Sequence, residues 1–146
     1  MNTTLTAERV HDHAEMLCEA LKHNYVEEGI KRCEFFRAGE PDDIYYTKRI
    51  QELKDGVNCY NFIIEKGRKY LKVIMFTEVD ARSAHAFIDR NTGDVYMAAS
   101  WKAPARNGSR YNLLCEDDLN WLLENADWAG SYLYKKRSTC VQLIKG

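Results

Sequence analysis

The chain lacks any apolar run approaching the roughly 20 residues that cross a bilayer, which excludes a helical membrane protein. Its opening, MNTTLTAERVHDH, lacks the basic and apolar blocks of a secretory signal, so the expected setting is soluble and cytoplasmic. Paired cysteine spacings are missing too: Cys18, Cys33, Cys59, Cys115 and Cys140 are odd in number and scattered, with no CxxC, and read as reduced thiols. There is no charge excess. Lys and Arg number 21 against 22 Asp and Glu, a formal net charge of -1, which argues against a whole-surface nucleic-acid binder and confines any polyanion site to one region. Also absent are GxSxG, Walker, HExxH, Gly-rich dinucleotide and Cys/His signatures, which leaves little case for an enzyme and implies no cofactor. No repeat, low-complexity segment or linker interrupts the chain.

What remains is a length of 146 residues, enough for one domain (1–146) to bury a core without staples. Val10, Ala14, Leu17, Leu21 and Tyr25 recur at helical spacing, predicting a helix from about Thr6 to Tyr25 that ends at Gly29. IKRCEFF reads as a short strand, Ala38-Gly39-Glu40-Pro41 as a turn, and DDIYYTKRIQELKDG as a second helix. From Cys59 the period changes to two. CYNFIIEKGRKYLKVIMFTEV is a hairpin turning at Lys66-Gly67-Arg68, and AHAFIDRNTGDVYMAAS is another, turning between Asp89 and Asp94. A last helix spans about Glu116 to Asn125, and the tail from Trp128 offers one further strand. The expected fold class is therefore α+β: an antiparallel four- to five-stranded meander sheet with N-terminal and C-terminal helices packed on one face.

Charge is unevenly placed. Between Lys66 and Arg110 nine basic residues face four acidic ones, a local excess that marks an anion site in a near-neutral chain. Within it, SWKAPARNGSRYN combines irregular backbone with Trp101, Lys102, Arg106, Arg110 and Tyr111. Guanidinium groups fork onto phosphate and aromatic faces stack on bases, so this mixture suits a nucleotide or a nucleic-acid strand. Trp101 or Tyr111 would stack, while Lys102, Arg106 and Arg110 would hold phosphate. Lys66, Arg68 and Lys69 join the same ligand-binding set if the first hairpin tip leans toward the loop. The plainer alternative is a loop whose tryptophan plugs the core and whose cations pair with the acidic helix Glu116 to Asp127.

His11-Asp12-His13 with Glu15 and Cys18 superficially suggests a metal cluster, yet helical residues at i and i+2 diverge, and no metal site is expected. His85, on a strand, reads as a buried, hydrogen-bonded histidine before it reads as a general base.

The stretch FIDRNTGDVYMAASWKAPARNGSRYNLL, followed by ADWAGSYLY, resembles a group of small uncharacterised proteins of tailed bacteriophages. The resemblance covers the C-terminal half, from Gly67-Arg68-Lys69-Tyr70 onward. It implies a phage gene expressed in the host bacterial cytoplasm, with Trp101, Lys102, Pro104, Arg110 and Asn112 in a recurring motif, and it supplies no activity. The expected function is a non-enzymatic phage accessory protein that binds nucleic acid or a nucleotide signal. The alternative is an interaction module that binds and modulates a host bacterial protein through aromatic and arginine anchors.

Overall fold

The computed structural model describes residues 3–40, 44–79 and 82–134. Three helices, a short 3₁₀ turn and five strands follow in the order α1 (Thr3–Gly39), α2 (Ile44–Asp55), β1 (Asn61–Lys66), β2 (Tyr70–Phe76), β3 (Ser83–Asp89), β4 (Asp94–Met97), β5 (Tyr111–Asn112), α3 (Glu116–Asn125) and the 3₁₀ turn (Ser131–Tyr134). Each strand pairs antiparallel with its sequence neighbour, giving the sheet order β1-β2-β3-β4-β5. This is the α+β meander expected from the alternating pattern. The fifth strand comes from Tyr111–Asn112; the tail forms a 3₁₀ turn at Ser131–Tyr134, and the rest of the expected tail strand, 135–146, lies outside the described residues.

Alternation divides the sheet. Phe62, Leu71, Val73, Ala86, Ile88, Val95 and Tyr111 face inward, where they meet Val10, Ala14, Leu17 and Leu21 of α1 and Leu119 and Leu122 of α3. Both helices thus lie on one face. The register slips between Val73 and Ile74, because β3 carries one extra residue there. The bulge turns His85 toward the helices, edge-on to Phe62 at 5.3 Å.

Two tight turns set the strand register. Asp89 accepts from the N–H groups of Asn91 (2.8 Å) and Thr92 (3.1 Å), and Gly93 closes that turn at φ +81°, a region a side chain would disfavour. In the first hairpin the Gly67 N–H donates to the Tyr70 carbonyl at 2.8 Å.

The first helix departs from expectation. It does not stop at Gly29 but continues to Gly39, absorbing IKRCEFF, which was expected to form a strand. Gly29 is a packing notch: a Cβ there would stand 2.9 Å from Leu53 Cδ1, so its absence lets α2 approach. Val26, Ile30 and Cys33 then form a second apolar stripe that buries against Ile50 and Leu53. The expected α2 lies where DDIYYTKRIQELKDG placed it; of the expected turn Ala38-Gly39-Glu40-Pro41, Ala38 and Gly39 belong instead to α1, and Pro41 lies outside the described residues.

Cys18, Cys33 and Cys59 are buried free thiols, and burial pushes Cys18 up to about 12. Cys115, however, is disulfide-bonded, which corrects the reading of five reduced thiols. Among the described residues no helix is long and apolar enough to cross a membrane.

Candidate anion site on the outer sheet face

The sheet face turned away from the helices carries Tyr70 and Lys72 of β2, Phe87 of β3 and Tyr96 of β4, since each alternates with an inward residue. The Tyr70 ring stands edge-on to Phe87 (6.0 Å) and to Tyr96 (6.1 Å). After β4 the chain extends, reverses, and returns along itself, with Ala98 bridged to Pro104 and the Ala99 and Ser100 N–H groups donating to the Ala103 carbonyl. Trp101 and Lys102 occupy the tip of this excursion. The tip folds over the outer face, so that Lys72 Nζ lies 3.9 Å from the centre of the Trp101 ring.

Between this tip and the β1–β2 turn lies a cleft of about 230 Å³, lined by Arg68, Lys69, Lys72 and Lys102 together with Tyr70, Phe87 and Glu65. Among the described residues four cations therefore face one carboxylate. Glu65 is already engaged by Lys72, at 3.7 Å. The ion pairs of the described residues involve other cations, and none reaches Arg68, Lys69, Lys102, Arg106 or Arg110. Arg90 braces the turn from below, donating to the Gly67 carbonyl at 2.7 Å. Its backbone N–H donates to the Lys69 carbonyl at 3.0 Å, so the cationic tip is held on both sides.

The expected set is brought together only in part. Arg68, Lys69 and Lys102 line the cleft, and Trp101 stands on Lys72 beside it. Lys66 falls on the inward parity of β1 with Phe62 and Ile64, which directs it to the opposite face. Tyr111 is a core residue, 1% exposed, with its ring stacked on Trp121 at 5.3 Å and its hydroxyl donating to the Tyr132 carbonyl at 2.8 Å. It cannot stack on a ligand. Arg106 is exposed and lies outside the cleft lining. Arg110 rests against Met97 Sδ at 3.8 Å, and its Nε is buried without a hydrogen-bond partner.

The plainer reading of the loop finds little support. Trp101 is 38% exposed and does not plug the core, none of the ion pairs of the described residues joins a loop cation to α3, and two of the carboxylates on and after α3 are engaged elsewhere. Asp118 accepts from the Asn112 N–H at 2.8 Å, and Asp127 accepts from Ser131 and Tyr132. Tyr70 lies within the expected Lys66–Tyr70 tip, whereas sequence reading missed Lys72, Phe87 and Arg90 as site residues. The signal for Lys72 was present: it shares one parity with Tyr70 on a strand that starts at the basic turn.

Elsewhere, His85 Nε2 is 2.8 Å from the Tyr132 hydroxyl, and burial lowers the imidazole to about pKa 4, with Asp127 opposing the shift. It is the hydrogen-bonded strand histidine that was expected. His13 Nδ1 is 2.8 Å from the Leu113 carbonyl, an acceptor only, so the ring must donate there. That turns His13 away from His11, as the i, i+2 spacing demanded. His11, Asp12 and Glu15 do bring ligand atoms within 4.8 Å of one another, which the expected divergence along this turn did not anticipate.

No curated protein and no solved structure matches this chain. One family model does, over residues 1–135. The chain therefore belongs to that family, described as a family of unknown function (DUF7717).

Proposed function

We propose that the protein is a phage accessory protein that acts by binding a phosphate-bearing ligand at the outer-face cleft, without catalysis, in the host bacterial cytoplasm. One observation carries this reading: four cations line one cleft, its single carboxylate is already engaged, and Arg68 and Lys102 have no ion-pair partner among the described residues. Lys and Arg heads crowded in this way repel one another unless an anion joins them. The cleft of about 230 Å³ is smaller than the usual range for a whole drug-sized ligand, roughly 300 Å³ and above, but ample for a phosphate group. Trp101 and Tyr70 at its margin then offer aromatic surface to an attached base. A nucleotide or a nucleic-acid strand fits this division of labour.

Titration with ADP and with a short labelled oligothymidylate tests the reading. Both should bind, and Arg68→Ala/Lys102→Ala should weaken each by about tenfold or more. Oligonucleotide affinity should fall steeply between about 50 and 200 mM salt, because released counterions set the slope. Equal affinities for the double variant and the native protein would remove the cleft from consideration.

A second reading is favoured by a different surface. Where α1 ends and α2 begins, Phe35 is 76%, Ile44 79% and Tyr45 66% exposed. Apolar side chains grouped in water mark contact surfaces, here for a host bacterial protein. Phe35→Ser/Ile44→Ser should abolish capture of such a partner while leaving phosphate binding intact.

A further inference from the structure

A second cleft, of about 300 Å³, opens between α1 and α2, far in sequence from the cationic turn and built from different chemistry. Its walls are aromatic. Tyr46 stacks on Phe36 at 5.7 Å with the rings 20° apart, and Tyr25 meets Trp128 edge-on at 5.2 Å. Among the described residues its charged lining is cationic, supplied by Arg32 and Arg49. The two arginines differ in what they leave available. Arg49 donates to the Val57 and Asn58 carbonyls at 3.1 and 3.0 Å and pairs with Glu52 at 3.5 Å, so it forms a fixed, neutralised wall. The Arg32 guanidinium has no ion pair or hydrogen bond among the described residues, and the nearby Glu28 pairs with Lys31 at 3.9 Å.

From this we infer a binding site for a planar aromatic group that carries one negative charge. Stacked and edge-on rings accept a flat apolar body, and a free guanidinium at the rim accepts a carboxylate, sulfonate or phosphate in a forked contact. A neutral aromatic would gain the first term only. A purely inorganic anion would gain only an exposed pairing, which is worth little in water. The specificity for charge and ring together comes from Arg32, a guanidinium without an ion pair among the described residues, at the rim of an aromatic slot. The inference is independent of the outer-face cleft.

The test uses 2-naphthoate and its neutral counterpart 2-naphthamide, followed by amide and indole NMR shifts. Naphthoate should move the Trp128 indole N–H and the Gly29 and Cys33 amides in a saturable manner. Arg32→Gln should weaken naphthoate by about three- to fivefold and leave naphthamide unchanged. Tyr46→Ala should weaken both, and Tyr46→Phe should restore both. The inference is overturned by naphthoate shifts that centre on Lys69 and Lys102, by the absence of saturable shifts, or by unchanged naphthoate affinity in Arg32→Gln with a native-like spectrum.

Discussion

Lys72 Nζ sits 3.9 Å from the centre of the Trp101 ring, the contact that fastens an irregular excursion of the chain onto a regular sheet. Lys72 is only 13% exposed and its ammonium is shared with Glu65, so the cation is held over the ring without being dehydrated alone. Replacing it with an isosteric neutral residue should free the tip. Lys72→Met is expected to shift Trp101 fluorescence and raise tip mobility, while costing about 1 kcal/mol or less of global stability. Emission spectra and urea midpoints check the two halves of that expectation.

Tyr111 separates core from site. Its hydroxyl bond to the Tyr132 carbonyl is buried, and removal of the donor strands that acceptor. Tyr111→Phe should lower stability by about 1 to 2 kcal/mol and leave phosphate affinity unchanged. A loss of affinity without a loss of stability would return Tyr111 to the binding surface.

His85 gives stability a defined pH dependence. The folded protein holds it neutral to about pKa 4, whereas in the unfolded chain it takes a proton near 6.5. Its contribution is therefore complete above about pH 6.5, declines as pH falls toward 4, and is level below that. The full span is on the order of 3 kcal/mol. Urea unfolding across this window should show the decline, and His85→Gln should flatten it.

Gly29 should resist enlargement for a reason unrelated to turns. Gly29→Leu places a side chain where Leu53 packs and should cost about 1 to 3 kcal/mol, with the loss concentrated in α2. Hydrogen exchange of the α2 amides, faster in the variant than in the native chain, is the expected readout.

Legibility in the sequence followed physical type. Period-two alternation from Cys59 to Met97 is a local property, so both hairpins and their inward residues were readable. The length of α1 was not, because the decision at Gly29 belongs to Leu53, a side chain 24 positions away in sequence. Likewise the basic and aromatic residues of the site were visible as a cluster, but parity sorts Lys66 from Lys72, and the depth of Tyr111 depends on its stacking with Trp121. Composition shows which side chains are available. It does not show which face each is given.

The long first helix has one further consequence. Its N-terminal half packs on the sheet and α3, and beyond Tyr25, which touches Tyr60 and Trp128, its C-terminal half packs on the smaller cluster around Ile50 and Leu53. One continuous rod is thus shared between two cooperative units of unequal size. The smaller can melt while the larger stays intact, so α2 and the distal end of α1 should open together, as a hinged flap, at a fraction of the free energy of global unfolding.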